Sequence, residues 1–268
     1  MGLGKLVRAE LSLSISFLKS NRGLFVLWVL WPYLTVLVLY ALGTAYGSLE
    51  EMKSSLGVDD PILYLFAAST IAFSASGLID VVSGRVAWYR WVGVLPYVSL
   101  APYRLGVYLA VGGFISALFE IAFNYLAVLP GAIIYSGLHG FAGLTAVLIV
   151  LILGGLPLIS LAVAVGFLTL ILKQESNVAS FLNPLLLLLG GVFYPVSILP
   201  RVLQELSRIV PVTYIVEAAR IAATFSEGPG RALYYAAYTL GALAIAYNIA
   251  GLWVAARGED RARREGVI

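Results

Sequence analysis

The stretch LGVYLAVGGFISALFEIAFNYLAVLPGAII at residues 105–134 decides the fold class of this chain. Its only charged residue is Glu120. About 20 such residues, wound as a helix, cross the roughly 30 Å hydrocarbon core of a bilayer, because a helix satisfies its own backbone hydrogen bonds where water is absent. The stretch therefore predicts a membrane-spanning helix.

Five further apolar stretches have the length of a membrane span, and the overall composition agrees with this count. They lie at residues 24–46, 61–82, 142–172, 178–196 and 232–256. Of the 268 residues, 61% are hydrophobic and 12% are charged, whereas about 25% are charged in an ordinary soluble domain. We predict an all-α membrane protein with six transmembrane helices in a single domain, residues 1–268.

The distribution of basic residues predicts the orientation of these spans. Six spans leave both termini on one side of the membrane, and the side richer in Lys and Arg is cytoplasmic. Most of the 17 basic residues fall on the terminal side: Lys5, Arg8, Lys19, Arg22, Arg85, Arg90, Arg104, Lys173, Arg257, Arg261, Arg263 and Arg264. We therefore predict a multi-pass protein of the cell (plasma) membrane with both termini in the cytoplasm. The bias accounts for the net charge of +3, and nothing indicates nucleic-acid binding.

Residues 1–22 are typical of an amphipathic helix lying on the cytoplasmic membrane surface. Apolar residues recur along one helical face, at Leu3, Leu6, Val7, Leu11, Ile15 and Leu18. Lys5, Arg8 and Ser12 lie off that face, as expected in the headgroup layer. Asn21 and Gly23 indicate a break before the first span, and a simple extension of that span is the alternative.

A second informative stretch, GVFYPVSILPRVLQELSRIVPVTYIVEAAR at residues 191–220, follows the fifth span. Pro195 disfavours helical geometry at the preceding residue, so the span should end or kink there. A helix can restart after Pro200. Pro211 then separates it from a second short helix in which Glu217 and Arg220 are spaced to pair. We predict a re-entrant pair of short helices at residues 195–230 on the outer side, with an ordinary kinked hairpin as the alternative.

These features resemble the membrane subunits of the ABC type-2 family, which export drugs, lipids and polysaccharides. The resemblance lies in six spans, cytoplasmic termini, and the ordered residues Phe193, Tyr194, Pro195, Leu199, Pro200, Pro211, Thr213 and Arg220. It implies an ABC transporter permease that exports an amphiphilic drug, lipid or glycan through the interface of a dimer. It also implies an outer, re-entrant gate formed by Phe193, Tyr194, Pro195, Pro200, Pro211, Glu217 and Arg220.

The cytoplasmic loop at residues 83–103 adds to the resemblance. It holds Arg85, Trp88, Tyr89, Arg90 and Trp91, and aromatic and Arg side chains commonly anchor protein interfaces. In the family the corresponding loop couples the permease to its ATPase, and the resemblance implies that role for these five residues. An aromatic belt at the membrane surface is the alternative for each Trp.

The chain has no glycine-rich phosphate loop ending in Lys-Ser or Lys-Thr, so it cannot bind ATP in that manner. We expect it not to be an enzyme by itself and to bind no cofactor. ATP and Mg would be held by two copies of a separate ABC ATPase subunit. The other expected partners are membrane lipid and a second copy of this chain or a similar permease. With 0 Cys and 1 His, thiolate and most histidine-based metal chemistry is excluded.

Glu120 and Asn124, four residues apart on one helical face, are the candidate pathway residues within the spans. A charged side chain at the centre of a bilayer costs at least about 2.5 kcal/mol, so Glu120 should face a partner, the bundle interior or water. Three interpretations of Glu120 are open. It is part of the lining of a transport pathway, it is the functional residue of a stand-alone secondary transporter or channel, or it only stabilises the packing of the helices. An intramembrane enzyme is disfavoured because the spans hold no Ser-His, paired-Asp or metal-ligand set.

Overall fold

The computed structural model describes residues 3–100, 103–172, 178–224 and 228–264, and this part of the chain contains helices and no strand. The helices are α1 (Leu3–Ser20), α2 (Arg22–Tyr46), α3 (Leu49–Leu56), α4 (Pro61–Trp91), α5 (Leu95–Ser99), α6 (Leu105–Ile171), α7 (Ala179–Gly190), α8 (Arg201–Ser207), α9 (Pro211–Ala222) and α10 (Gly228–Arg264), with a 3-10 turn at Val196–Ile198.

Four of these helices, α2, α4, α6 and α10, are long and apolar enough to cross a membrane. The 67 residues of α6 would extend about 100 Å as one straight helix, but the chain reverses at Gly137, where φ is 57° and ψ is −134°. The hydroxyls of Tyr125 and Thr145, on opposite sides of that point, are 2.9 Å apart. Helix α6 is therefore a hairpin of two antiparallel arms, residues 105–136 and 138–171.

The core of the bundle consists of α4 enclosed by the two arms of α6. Small residues allow the helices to approach closely: a Cβ built on Gly113 would lie 3.1 Å from Ile159 and overlap Val82. In the most apolar stretch of α4, 78% of the residues are buried, against 11% in α2 and in α10. Helices α2 and α10 therefore present most of their apolar surface to the surroundings of the chain.

The start of α4, the tip of the α6 hairpin and the end of α9 meet at one end of the bundle. Asp60 caps α4 by accepting from the backbone N–H of Leu63 at 2.9 Å, and its second carboxylate oxygen accepts from Ser136. The Asp60 N–H lies 3.4 Å from the carbonyl oxygen of Ala223. The opposite end holds α1, the end of α4 and the last turns of α10, where Gly258 lies against Phe167.

The structure confirms the predicted break after α1 and changes several predicted boundaries. Helix α4 continues from the predicted end at residue 82 to Trp91, so the predicted cytoplasmic loop is shorter than residues 83–103. Helix α7 ends at Gly190, before Pro195, because Gly191 adopts a left-handed conformation with φ 61°. Its 12 residues extend about 18 Å, less than the roughly 30 Å of a full span. Residues 1–2, 101–102, 225–227 and 265–268 of the predicted segments, and Lys173, lie outside the described residues.

Candidate functional site

The element that follows α7 consists of the 3-10 turn, α8 and α9, and the prolines delimit it as predicted. Helix α8 begins after Pro200, and Pro211 occupies the first turn of α9. Thr213 fixes the bend between the two helices by donating to the carbonyl oxygen of Ser207 at 2.7 Å. Helix α9 then packs among α4, α6 and α10 with eight buried residues: Pro211, Val212, Thr213, Ile215, Val216, Ala218, Ala219 and Ala222.

Arg220 holds the turn after α7 in place. Its guanidinium donates to the carbonyl oxygens of Gly191 and Tyr194 at 2.9 and 2.6 Å, and it lies 5.4 Å from the centre of the Tyr64 ring. Tyr64 is fully buried and donates to the carbonyl of Val192 at 2.7 Å. These contacts tie the turn to α4.

The predicted pairing of Glu217 with Arg220 is wrong. Glu217 instead accepts a hydrogen bond from the hydroxyl of Tyr235 on α10. The Arg220 guanidinium does not pair with Glu217, because it donates to carbonyl oxygens of the turn after α7. The other predicted gate residues, Phe193, Tyr194 and Pro195, are half-buried in the turn itself, while Pro200 is exposed.

At the other end of the bundle, exposed apolar side chains follow one another along the end of α4 and along α5. The rings of Trp88 and Trp91 are in contact at a tilt of 41°, with their centres 5.2 Å apart, and are 58% and 77% exposed. Tyr97 and Leu100 are also exposed. We call these four residues the aromatic surface. An exposed apolar group of this kind is typical of a protein or membrane contact.

The other three predicted coupling residues face the protein rather than this surface. Arg85 donates to Glu10 of α1 at 2.8 Å and to Ser116 of α6 at 3.1 Å. The hydroxyl of Tyr89 lies 2.9 Å from that of Tyr108. Arg90 is half-buried, and its Nη1 atom has no hydrogen-bond partner in the part of the chain that the structure describes. Of the five residues predicted for coupling, the structure therefore places two, Trp88 and Trp91, on the exposed surface.

A cleft of about 1170 Å³ lies between α1, α2, α4 and α6. Glu120 and Asn124 both line it, as their shared helical face predicted, and Asn124 donates to Ser74 at 3.3 Å. Asp80 of α4 lines the same cleft and accepts from Asn183 of α7 at 2.8 Å. Sequence reasoning did not connect Asp80 with Glu120.

Glu10 is a second polar residue whose role sequence reasoning missed. It is 1% exposed and follows Leu6 by four residues, which places it on the apolar face of α1. A charged residue on that face is the signal that could have identified it, because such a residue needs a partner. Arg85 is that partner.

A comparison with curated proteins finds no match. The family model described as ABC-2 type transporter matches residues 16–223. The match begins in α1, covers most of the cleft, the aromatic surface and the element that contains α8 and α9, and ends just after α9. This chain belongs to the family of ABC-2 type transporters.

Proposed function

We propose that this chain is the permease subunit of an ATP-driven exporter in the cell membrane, assembled from two permease copies and two copies of a separate ATPase. The family match carries the proposal together with one observation, the exposed aromatic surface at one end of the bundle. That end also holds α1 and the end of α10, which the positive-inside rule assigns to the cytoplasm.

The aromatic surface suits the contact with the ATPase. Trp and Tyr bury large areas while keeping a polar group for hydrogen bonding, so they often dominate the energy of a protein interface. Tyr97 on the short helix α5 is 75% exposed, and the backbone N–H of Val94 donates to the Tyr89 carbonyl at 2.9 Å. This bond fixes α5 to α4, so a displacement of α5 by the ATPase would be transmitted to α4.

Six crossings are part of the proposal, with α7 as the short one. Helix α7 runs antiparallel to α4, since Asn183 near its start contacts Asp80 and Val192 just after its end contacts Tyr64. The re-entrant element of α8 and α9 covers the outer side of α7. There it serves as the gate for an amphiphilic drug, lipid or glycan.

The second permease copy is proposed from the exposure of α2. Exposed side chains that do not line the cleft occur along this helix, among them Leu30, Leu34, Leu37 and Val38, which are 49%, 51%, 61% and 55% exposed. A transmembrane surface of this kind meets either lipid or another helix. A pathway between two copies would bring one such face from each chain together.

The test is association of the tagged chain with a P-loop ATPase co-expressed from the same source. Trp91→Ala should reduce recovery of the ATPase at least about fivefold, as expected when an interface anchor is lost. Trp91 is chosen because Trp88 also borders the cleft. Trp253→Ala is the matched control, since Trp253 lies on α10 and is 57% exposed. Equal recovery from all three proteins would contradict a coupling role for the surface.

The stand-alone secondary transporter or channel is the second candidate, favoured by the presence of Glu120 in a cleft. Proteoliposomes separate the two functions. The exporter requires the ATPase and ATP for substrate movement, whereas a chain that moves substrate alone, and loses this activity in Glu120→Gln, would establish the second candidate instead.

A further inference from the structure

Glu120 is an acidic residue of α6 that lines the cleft. Its carboxylate lies directly against the backbone of Gly77 on α4, where a Cβ would overlap it. No described residue donates a hydrogen bond to this carboxylate or forms an ion pair with it. A carboxylate among membrane helices faces a partner, the bundle interior or water, and Glu120 lines an open cleft in which a cation could approach it.

The other charged side chains of the cleft do not supply that counterpart. Arg85 lines the cleft, but its guanidinium is engaged by Glu10 and Ser116. Asp80 adds a second carboxylate. Asp80 is therefore itself acidic and Arg85 is already paired, so neither of them neutralises Glu120.

Aromatic rings line the same cleft as these acids. Trp28 lies 6.1 Å from Phe123 in an edge-to-face arrangement and 6.2 Å from Phe17 in a stacked one, measured between ring centres. Trp31 and Phe119 line the same cleft. The faces of such rings attract a cation and bury apolar groups at the same time. The volume of the cleft, about 1170 Å³, lies just above the roughly 300–1,000 Å³ of pockets that hold drug-sized ligands.

We propose that this cleft within a single protomer binds lipophilic organic cations, with Glu120 as the counterion and the aromatic rings of the cleft as the apolar contact. The proposal rests on the export function for what happens to the ligand after binding. The site is distinct from a pathway between two copies and provides a place where a cationic amphiphile is taken up from the bilayer beside α2.

The probe pair is tetraphenylphosphonium and tetraphenylborate, which share a shape and carry opposite charges. Binding is measured by equilibrium dialysis of the radiolabelled ions against the purified chain in nanodiscs of zwitterionic lipid, with empty nanodiscs subtracted. The cation should bind at least about tenfold more tightly than the anion, and Glu120→Gln should weaken cation binding about tenfold. Glu205→Gln is the matched control, because Glu205 lies on α8, is exposed, and pairs only with Arg208.

Gly77→Ala gives an independent test that keeps the negative charge. The added methyl group would displace the flexible carboxylate from its place, so cation binding should weaken while the folded state persists. Equal affinity for the two ions overturns the proposal, and so does unchanged cation binding in both Glu120→Gln and Gly77→Ala. If Glu120→Gln does not fold, the Gly77→Ala result decides.

The binding measurement uses no ATPase, so it separates this inference from the proposed function. Selective cation binding without ATPase association would support the cleft and refute the exporter. ATPase association without selective cation binding would refute the cleft alone.

Discussion

The ion pair between Arg85 and Glu10 ties α1 to α4, and its stability follows from its burial. Their side chains are 16% and 1% exposed, and a Cβ on Gly112 would overlap the guanidinium. Removing one partner leaves the other charge buried and largely unpaired, at a cost of about 3–5 kcal/mol. We expect Glu10→Ala to lower the free energy of unfolding by about 3 kcal/mol, measured by SDS titration in mixed micelles.

The pair of Glu205 and Arg208 on α8 supplies the comparison. Its N–O distance is also 2.8 Å, but the side chains are 65% and 71% exposed. Water and ions screen such a pair, so Glu205→Ala should cost less than about 1 kcal/mol. Equal losses for the two substitutions would show that α1 is not held by the buried pair.

Helix by helix, the apolar stretches could be predicted from the sequence, while several of the ends could not. Helix length in a membrane follows from apolar composition, which is local information. Ser83 and Gly84 are residue types typical of a loop, yet α4 continues through them to Trp91. Contacts of Arg85 with α1 and of Tyr89 with α6 stabilise its last turns. The end of α7 at Gly190 depends on the conformation of one glycine rather than on Pro195.

The reversal of α6 depends on a single residue in the same way. Gly137 has φ 57° and ψ −134°, a combination that residues with a Cβ rarely adopt, at a cost of about 1–3 kcal/mol. Gly137→Ala should therefore lower the thermal unfolding midpoint of the purified chain. Gly241→Ala is the control, since Gly241 lies inside α10 with open space around it and alanine favours helix. A midpoint unchanged by Gly137→Ala would mean that the hairpin closes in another way.

Across the whole molecule, the candidate site could be predicted only in part, because it combines residues from several helices. Glu120 and Asn124 share one helical face, so their common location was predictable from their spacing. Asp80, Arg85 and Glu10 join them through the packing of α1 and α4 against α6. That packing depends on tertiary contacts, which no local pattern of sequence contains. The turn after α7 that Arg220 holds in place also depends on tertiary contacts.

The orientation of the whole molecule is directly testable because the chain contains 0 Cys. Three single substitutions at exposed positions give a reactive thiol at known places: Ser12→Cys on α1, Leu138→Cys at the hairpin tip, and Arg264→Cys at the end of α10. A membrane-impermeant maleimide should label only the 138 variant in intact cells, and all three after permeabilisation. Labelling of the 12 and 264 variants from opposite sides would contradict an even number of crossings. Labelling of those two alone in intact cells would place the aromatic surface outside, where no cytoplasmic ATPase could reach it.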